Sequence, residues 1–252
     1  MSLVRGTRAE IRKLFSSWMA PGIVIGGLGF VLVSVIPLLA LDGTEVGIEA
    51  GVDLTDPENV QILLGSATAA NLFIVLLGVV MMTTEFRHGT ITSMLLGEPR
   101  RVLAMVAKLC GGVVAGLLSA LLITAVVFAI VVPVLAIKGI DATLSDGQTW
   151  RIVVGGIGAL TLWCPIGVAL GAFIRNQIAA ILIAIGWFLV AENVLVVLFP
   201  DLGRFLLTGA SAAIGSTGDT QLLSWWGGAL VMLAYVGVLG VAAAFTLRRD
   251  IK

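Results

Sequence analysis

The sequence predicts an all-α membrane protein with six transmembrane helices, and three observations carry the prediction. Hydrophobic residues make up 59% of the 252 residues, charged residues only 12%, and mean hydropathy is +1.11. An average soluble chain is roughly a quarter charged, so lipid is the solvent for most of this one. A hydrocarbon core of ~30 Å takes about 20 apolar residues to cross. Six runs of that kind occur, at about residues 21–41, 61–83, 104–136, 152–174, 177–199 and 225–247. Finally, 12 of the 15 Lys and Arg residues fall on one side of the alternating loops that these runs define.

The elements follow in chain order. Residues 3–18 place Leu3, Ile11, Leu14, Phe15 and Trp18 largely on one side and bases on the other. That pattern is an amphipathic helix lying in the membrane surface and turning into the first span at Pro21. The first run is longer than the apolar region of a signal peptide, and no small-residue cleavage site precedes the acidic stretch after it, so it reads as a span. The third run exceeds a straight crossing, so its first turns stand in the cytosol with Lys108 at the boundary. Arg175 occupies a tight turn between the fourth and fifth runs. Residues 200–219, "PDLGRFLLTGASAAIGSTGD", are semi-apolar and too short to cross twice. They read as short helices dipping into the outer leaflet, buried against protein where the backbone is irregular. No internal repeat or soluble domain interrupts residues 1–252, which form a single transmembrane domain.

Charge sets the orientation. Arg5, Arg8, Arg12, Lys13, Arg87, Arg100, Arg101, Lys108, Arg175, Arg248, Arg249 and Lys252 mark the cytoplasmic side, against Lys138, Arg151 and Arg204 outside. Both termini are then cytoplasmic, in the cytoplasmic membrane. Asp42, Glu45, Glu49, Asp53, Asp56 and Glu58 fill the first outer loop. Their spacing fits no calcium loop, so a solvated loop is the reading. Trp150, Trp225 and Trp226 suit the outer interface and Trp18 the inner one. A formal net charge of zero argues against a nucleic-acid surface.

Several chemistries have no residues here. A single histidine excludes the paired-histidine helix of a membrane metalloprotease, and no Gly-x-Ser-x-Gly elbow or phosphate-binding Gly-x-x-x-x-Gly-Lys-Ser/Thr loop occurs. Cys110 and Cys164 lie singly in apolar runs without ligand spacing and read as small buried hydrophobes. No cofactor, metal or catalytic residue is expected of this chain. The glycine pairs Gly22/Gly26, Gly112/Gly116 and Gly167/Gly171 are spaced for close helix packing, mostly within the chain and in part against a second copy.

Polar residues inside spans are the candidates for a substrate path. Glu192, followed by Asn193, is about 22 Å up the fifth run at ~1.5 Å per residue. A carboxylate there costs ~3 kcal/mol to insert, so it faces a cavity or a partner, or else marks a helix end reaching outer water and pairing with Arg204. Asn71, early in the second run, is a weaker candidate of the same type.

The longest polar island is "TTEFRHGTITSMLLGEPRRVLAMVAK", residues 83–108. The second span runs out into water through Thr83, Thr84, Glu85, Phe86 and Arg87. Gly89 suits the left-handed turn that ends a helix, and Thr90 can cap the next. A short helix from about Ile91 to Leu96 then shows Ile91, Met94 and Leu95 on one face. Gly97 ends it, and Pro99 fits the first turn of the following helix. Such a knob fits a groove on a partner, or else lies on the protein's own helices or lipid headgroups.

The same residues resemble the glutamate–aromatic–arginine–x–glycine–threonine signature of ABC type-2 transporter permeases. Glu85, Phe86, Arg87, Gly89, Thr90, Leu95, Leu96, Pro99, Arg101, Ala107 and Lys108 stand at the matching positions, and six spans with a basic amphipathic amino-terminal helix suit the family along the whole chain. The resemblance implies two permease copies assembled with two copies of a separate ATP-binding-cassette ATPase. Glu85–Leu96 would be the coupling helix entering a cleft on that ATPase, using Glu85, Phe86, Arg87, His88, Gly89, Thr90, Ile91, Met94 and Leu95. Spans two and five would line a path at the dimer interface, with Asn71, Glu192 and Asn193 upon it. ATP and Mg would be bound by the ATPase. The expected function is export of a hydrophobic or amphiphilic drug, peptide or lipid. The alternative is a membrane scaffold or resistance protein that docks a cytosolic partner through the same helix without transport. An ion-driven carrier is disfavoured, since only one carboxylate lies well inside a span.

Overall fold

The computed structural model describes residues 18–49, 52–89, 101–215 and 222–248, and these are helical with no strand among them. Among the described residues, six helices or helix runs are long and apolar enough to cross a membrane. The protein is therefore an all-α, multi-pass membrane protein. The amphipathic segment before Trp18, residues Thr90–Arg100 and residues 249–252 lie outside the described residues.

The first span is α1, Met19–Leu41, with Pro21 in its first turn. Gly27, Val31, Val35 and Leu39, four apart, form its buried row, while Ile25, Phe30 and Val33 face outward. Outward apolar side chains are what lipid requires. Helix α2, Glu45–Glu49, follows. Asp56 then caps α3, Pro57–Leu64, by accepting from the Glu58 N–H at 2.9 Å, with proline in the first turn.

The second span departs from the expected single run. It extends over Pro57–Arg87 and is broken. After α3 comes a 3₁₀ turn, Ser66–Ala70, and then α4, Asn71–Arg87. Gly65 ends α3, where a Cβ would meet Ile152 Cγ2 at 2.7 Å.

Helix α5, Arg101–Lys138, has 38 residues. At 1.5 Å per residue it is ~57 Å long, nearly twice the apolar core, so it tilts or protrudes as its length foretold. Its deepest row is Ala120, Ile123, Val127, Val131 and Leu135. Helix α6, Gly147–Ile174, starts on Asp146, whose Oδ1 accepts from the Gln148 N–H, and is the most buried span.

The fifth span is α7, Gln177–Gly186, a π-helical turn at Trp187–Ala191, and α8, Glu192–Leu198. It is the least covered of the six. The expected short outer helices are α9, Pro200–Gly203, and α10, Leu207–Gly215. The last span is α11, Trp225–Arg248. Trp18, Trp150, Trp225 and Trp226 are exposed at span ends, where interfacial anchors belong.

In lipid, apolar side chains gain nothing by leaving hydrocarbon, so helix association rests on close packing. Glycines supply it around α6. A Cβ at Gly78 of α4 would collide with the Cys164 carbonyl oxygen, and one at Gly167 of α6 with the Val75 carbonyl oxygen. Gly171 approaches Val79 O and Gly116 of α5 approaches Thr161 O. The pairs Gly112/Gly116 and Gly167/Gly171 thus pack within the chain. Gly26 lies against Phe73, whereas Gly22 has nothing within 4 Å.

Candidate functional site

Two polar clusters stand out from this apolar scaffold, one near each end. At the end bearing Arg87 and Arg175, α4 does not run straight out into water. Thr83 and Glu85 are buried, Thr84 and Phe86 are half-buried, and only Arg87, His88 and Gly89 are exposed. Thr83 turns its hydroxyl back to Val79 O at 2.8 Å. Glu85 turns toward α5, where Lys108 Nζ donates to its Oε1 at 3.2 Å. The side chains are 7% and 1% exposed, so the pair is sealed from solvent.

This corrects two expectations. Glu85 is not in water, and Lys108 is inside the protein instead of at a wet boundary. The reason is the length of α5, which passes beside α4 and places a cation at the depth of Glu85. A buried charge missing its partner costs several kcal/mol. Gly89 adopts φ +65°, the left-handed conformation expected of it, and His88 N–H closes the helix on Thr84 O at 3.0 Å. Thr90, Ile91, Met94, Leu95 and the rest of the expected short helix lie outside the described residues.

At the other end, Glu192 is 2% exposed. Its Oε1 accepts the backbone N–H of Thr208 at 2.7 Å and the Thr208 hydroxyl at 2.6 Å. Thr208 is in the first turn of α10, so the carboxylate satisfies a helix-start N–H and favours the positive end of that helix. Oε2 is buried with no hydrogen-bond partner among the described residues. The outer-water alternative for Glu192 is corrected by its burial. Arg204 is not its partner; that guanidinium lies 5.0 Å from the Phe205 ring centre. Asn193 donates Nδ2–H to Phe188 O at 3.0 Å and Leu189 O at 3.2 Å. It satisfies carbonyls in the π turn. Trp163, fully buried in α6, donates to Ser211 Oγ at 3.0 Å and packs against the Phe188 ring, tilted by 53° with centres 4.9 Å apart.

Asn71 opens α4, and its Oδ1 accepts from the Leu72 N–H at 2.7 Å. No hydrogen bond among the described residues joins it to Glu192 or Asn193, so the three expected path residues do not form one polar group.

The acidic loop has internal work. Asp42 accepts from Lys138 Nζ at 2.8 Å through Oδ2 and from the Leu54 N–H at 2.9 Å through Oδ1. These hold its carboxyl below the usual value, the lysine bond contributing most. Asp53 is lowered too, by hydrogen bonds from the Thr55 hydroxyl and N–H. Gln61 Nε2 bridges α3 to Asp146 Oδ2 at 2.9 Å.

Sequence reasoning missed Thr208, Ser211, the π turn and the pairing of Glu85 with Lys108. A signal existed for the last. A base and an acid bordering consecutive spans at similar depth are each costly alone, so their meeting was inferable. Thr208 lies 16 residues from Glu192 across an irregular corner, with no periodicity to announce it.

No protein-family model matches this chain, and no curated protein sequence matches it.

Proposed function

We propose that this chain is the membrane-spanning permease subunit of an ABC exporter, moving a hydrophobic or amphiphilic substrate across the cytoplasmic membrane. ATP is hydrolysed on a separate ATPase, and the chain has no catalytic residues of its own. The observation that carries this reading is the buried Glu85–Lys108 pair. It ties the helix entering the 88–100 segment to the helix leaving it, so a push on that segment moves α4 and α5 together. Through the glycine contacts of both with α6, the push reaches the centre of the bundle. The weakly covered fifth span supports a second copy packing there. Glu192, with one buried oxygen still available to accept, is the path residue favoured for a cationic or hydrogen-bond-donating group.

The test is co-reconstitution in lipid with an ATPase encoded beside this gene. Gly89→Pro, in the exposed turn, is expected to abolish substrate-stimulated ATP hydrolysis and transport while leaving the assembled complex intact. Stimulation and transport at wild-type rates in that variant would overturn the permease reading. Stable docking of the ATPase without any transport would favour the scaffold.

A further inference from the structure

We propose that the fifth span carries a hinge at residues 186–191, about which α7 swings while α8 stays latched to the α9–α10 corner through Glu192. The helix is already interrupted at that place. In the turn at Trp187–Ala191 the Glu192 N–H reaches back five residues to Trp187 O, where an α-helix would reach four. A π turn of this kind is one of the few features that bend a helix without proline. Gly186 stands directly before it, and a Cβ there would meet nothing within 4 Å. Packing therefore does not call for a glycine, and what the residue contributes is a freer backbone. Asn193 donates to Phe188 O and Leu189 O, so carbonyls of the turn keep a donor where the α ladder is broken.

The two halves of the span are held differently. Helix α7 lies on α4 and α6, and its only buried residues are Ala180 and Ala184, four apart. Among the described residues it makes no side-chain hydrogen bond to another helix, so a shallow apolar contact is what a swing must slide over. Helix α8 is tied by polar bonds instead, with Glu192 Oε1 accepting both the N–H and the hydroxyl of Thr208. Val196 also lies against Gly203 of α9. That corner is itself fixed. A Cβ at Gly155 of α6 would collide with Ile214 O of α10, and one at Gly228 of α11 with Ala210 O. Tyr235 of α11 donates to Phe205 O at 3.3 Å, and Trp163 holds both Ser211 of α10 and the Phe188 ring at the pivot. The end of the span beside Arg175 can therefore move while the other end stays shut. The hinge is a property of this chain and does not depend on transport or on an ATPase.

The full chain, carrying Cys110→Ser and Cys164→Ala, is reconstituted in lipid nanodiscs and given nitroxide labels at exposed positions. One pair is Ile178→Cys with Val241→Cys, the other Val197→Cys with Leu230→Cys. Both refer to α11, the first reporting on α7 and the second on α8. Labelled chains are diluted into unlabelled chain, so that pulsed electron spin resonance reads distances within one molecule. The α7 distance distribution is expected to be about twice as broad as that of α8. Gly186→Ala, which has room for its methyl and favours helix, should narrow the α7 distribution to the α8 width. Gly158→Ala, at an equally open glycine of α6, should change neither. Glu192→Ala should broaden the α8 distribution, and Glu192→Gln should not. Equal widths for the two pairs in the labelled parent, an α7 width unaltered by Gly186→Ala, or an α8 width unaltered by Glu192→Ala would each overturn the proposal. If Glu192→Ala fails to fold, the parent and Gly186→Ala decide.

Discussion

Replacing Lys108 by methionine removes the cation but keeps most of the side-chain volume, taking the Lys108 ammonium away from the buried Glu85 Oε1. Both side chains are at most 7% exposed, so solvent cannot step in without opening the α4–α5 seam. Breaking a buried pair from one side costs about 3–5 kcal/mol, whereas replacing both partners by apolar groups is often close to neutral. The single variants Lys108→Met and Glu85→Leu should therefore each lose about 3 kcal/mol or more, and the double variant should recover at least about half of the summed loss. The assay is reversible unfolding in mixed micelles, followed by far-ultraviolet circular dichroism across a denaturant series, with all four proteins of the cycle compared. Additive losses in the double variant would show that the two charges act independently and would refute the pairing argument. Losses below about 1 kcal/mol in the singles would show that the seam is wet.

Three further outcomes are expected. Gly78→Ala and Gly167→Ala, whose new methyls meet carbonyl oxygens of the facing helix, should cost about 1–3 kcal/mol each; Gly158→Ala, with open space around it, should be neutral or slightly stabilising in the same unfolding assay. Glu192→Ala should lose about 1–2 kcal/mol with the Thr208 bonds, while Glu192→Gln, which still accepts through its amide oxygen, should lose less than half of that; equal losses would mean that the bond to α10 is unimportant. Asp42 has a folded pKa below its ordinary value of 3.8, so its contribution is complete above that value and disappears as pH falls through the folded one. The partly exposed Lys138 limits that contribution to about 1 kcal/mol or less. Hydrogen exchange at Leu54 N–H, corrected for intrinsic rates, should rise on acidification below pH 3.8 in the wild type and be pH-independent in Asp42→Asn.

The apolar runs located all six spans to within a few residues, except that the second begins at Pro57 and contains the 3₁₀ break at Ser66–Ala70. That break falls on Ser66–Ala70, small and partly polar residues between two runs rich in Leu, Ile and Val. Gly65, just before it, comes close to Ile152, a contact that no local pattern encodes. The Gly89 turn was legible because a helix end needs a residue that tolerates positive φ, a local requirement. For Glu85 and Glu192 the residue type was readable and the partner was not. One meets a lysine 23 residues away, the other a threonine 16 residues away across a corner.

The sequence by itself determined that this protein dissolves in lipid and crosses it six times, because burying ~20 consecutive apolar residues is a property of the segment alone. Only the tertiary structure decided which glycines are crowded, where the carboxylates find their partners, and that Arg87 and Arg175, at the ends of two helices, line one cleft. These depend on how helices lie against one another. In a bilayer, where apolar side chains gain little by changing neighbours, shape and a few polar contacts choose that arrangement.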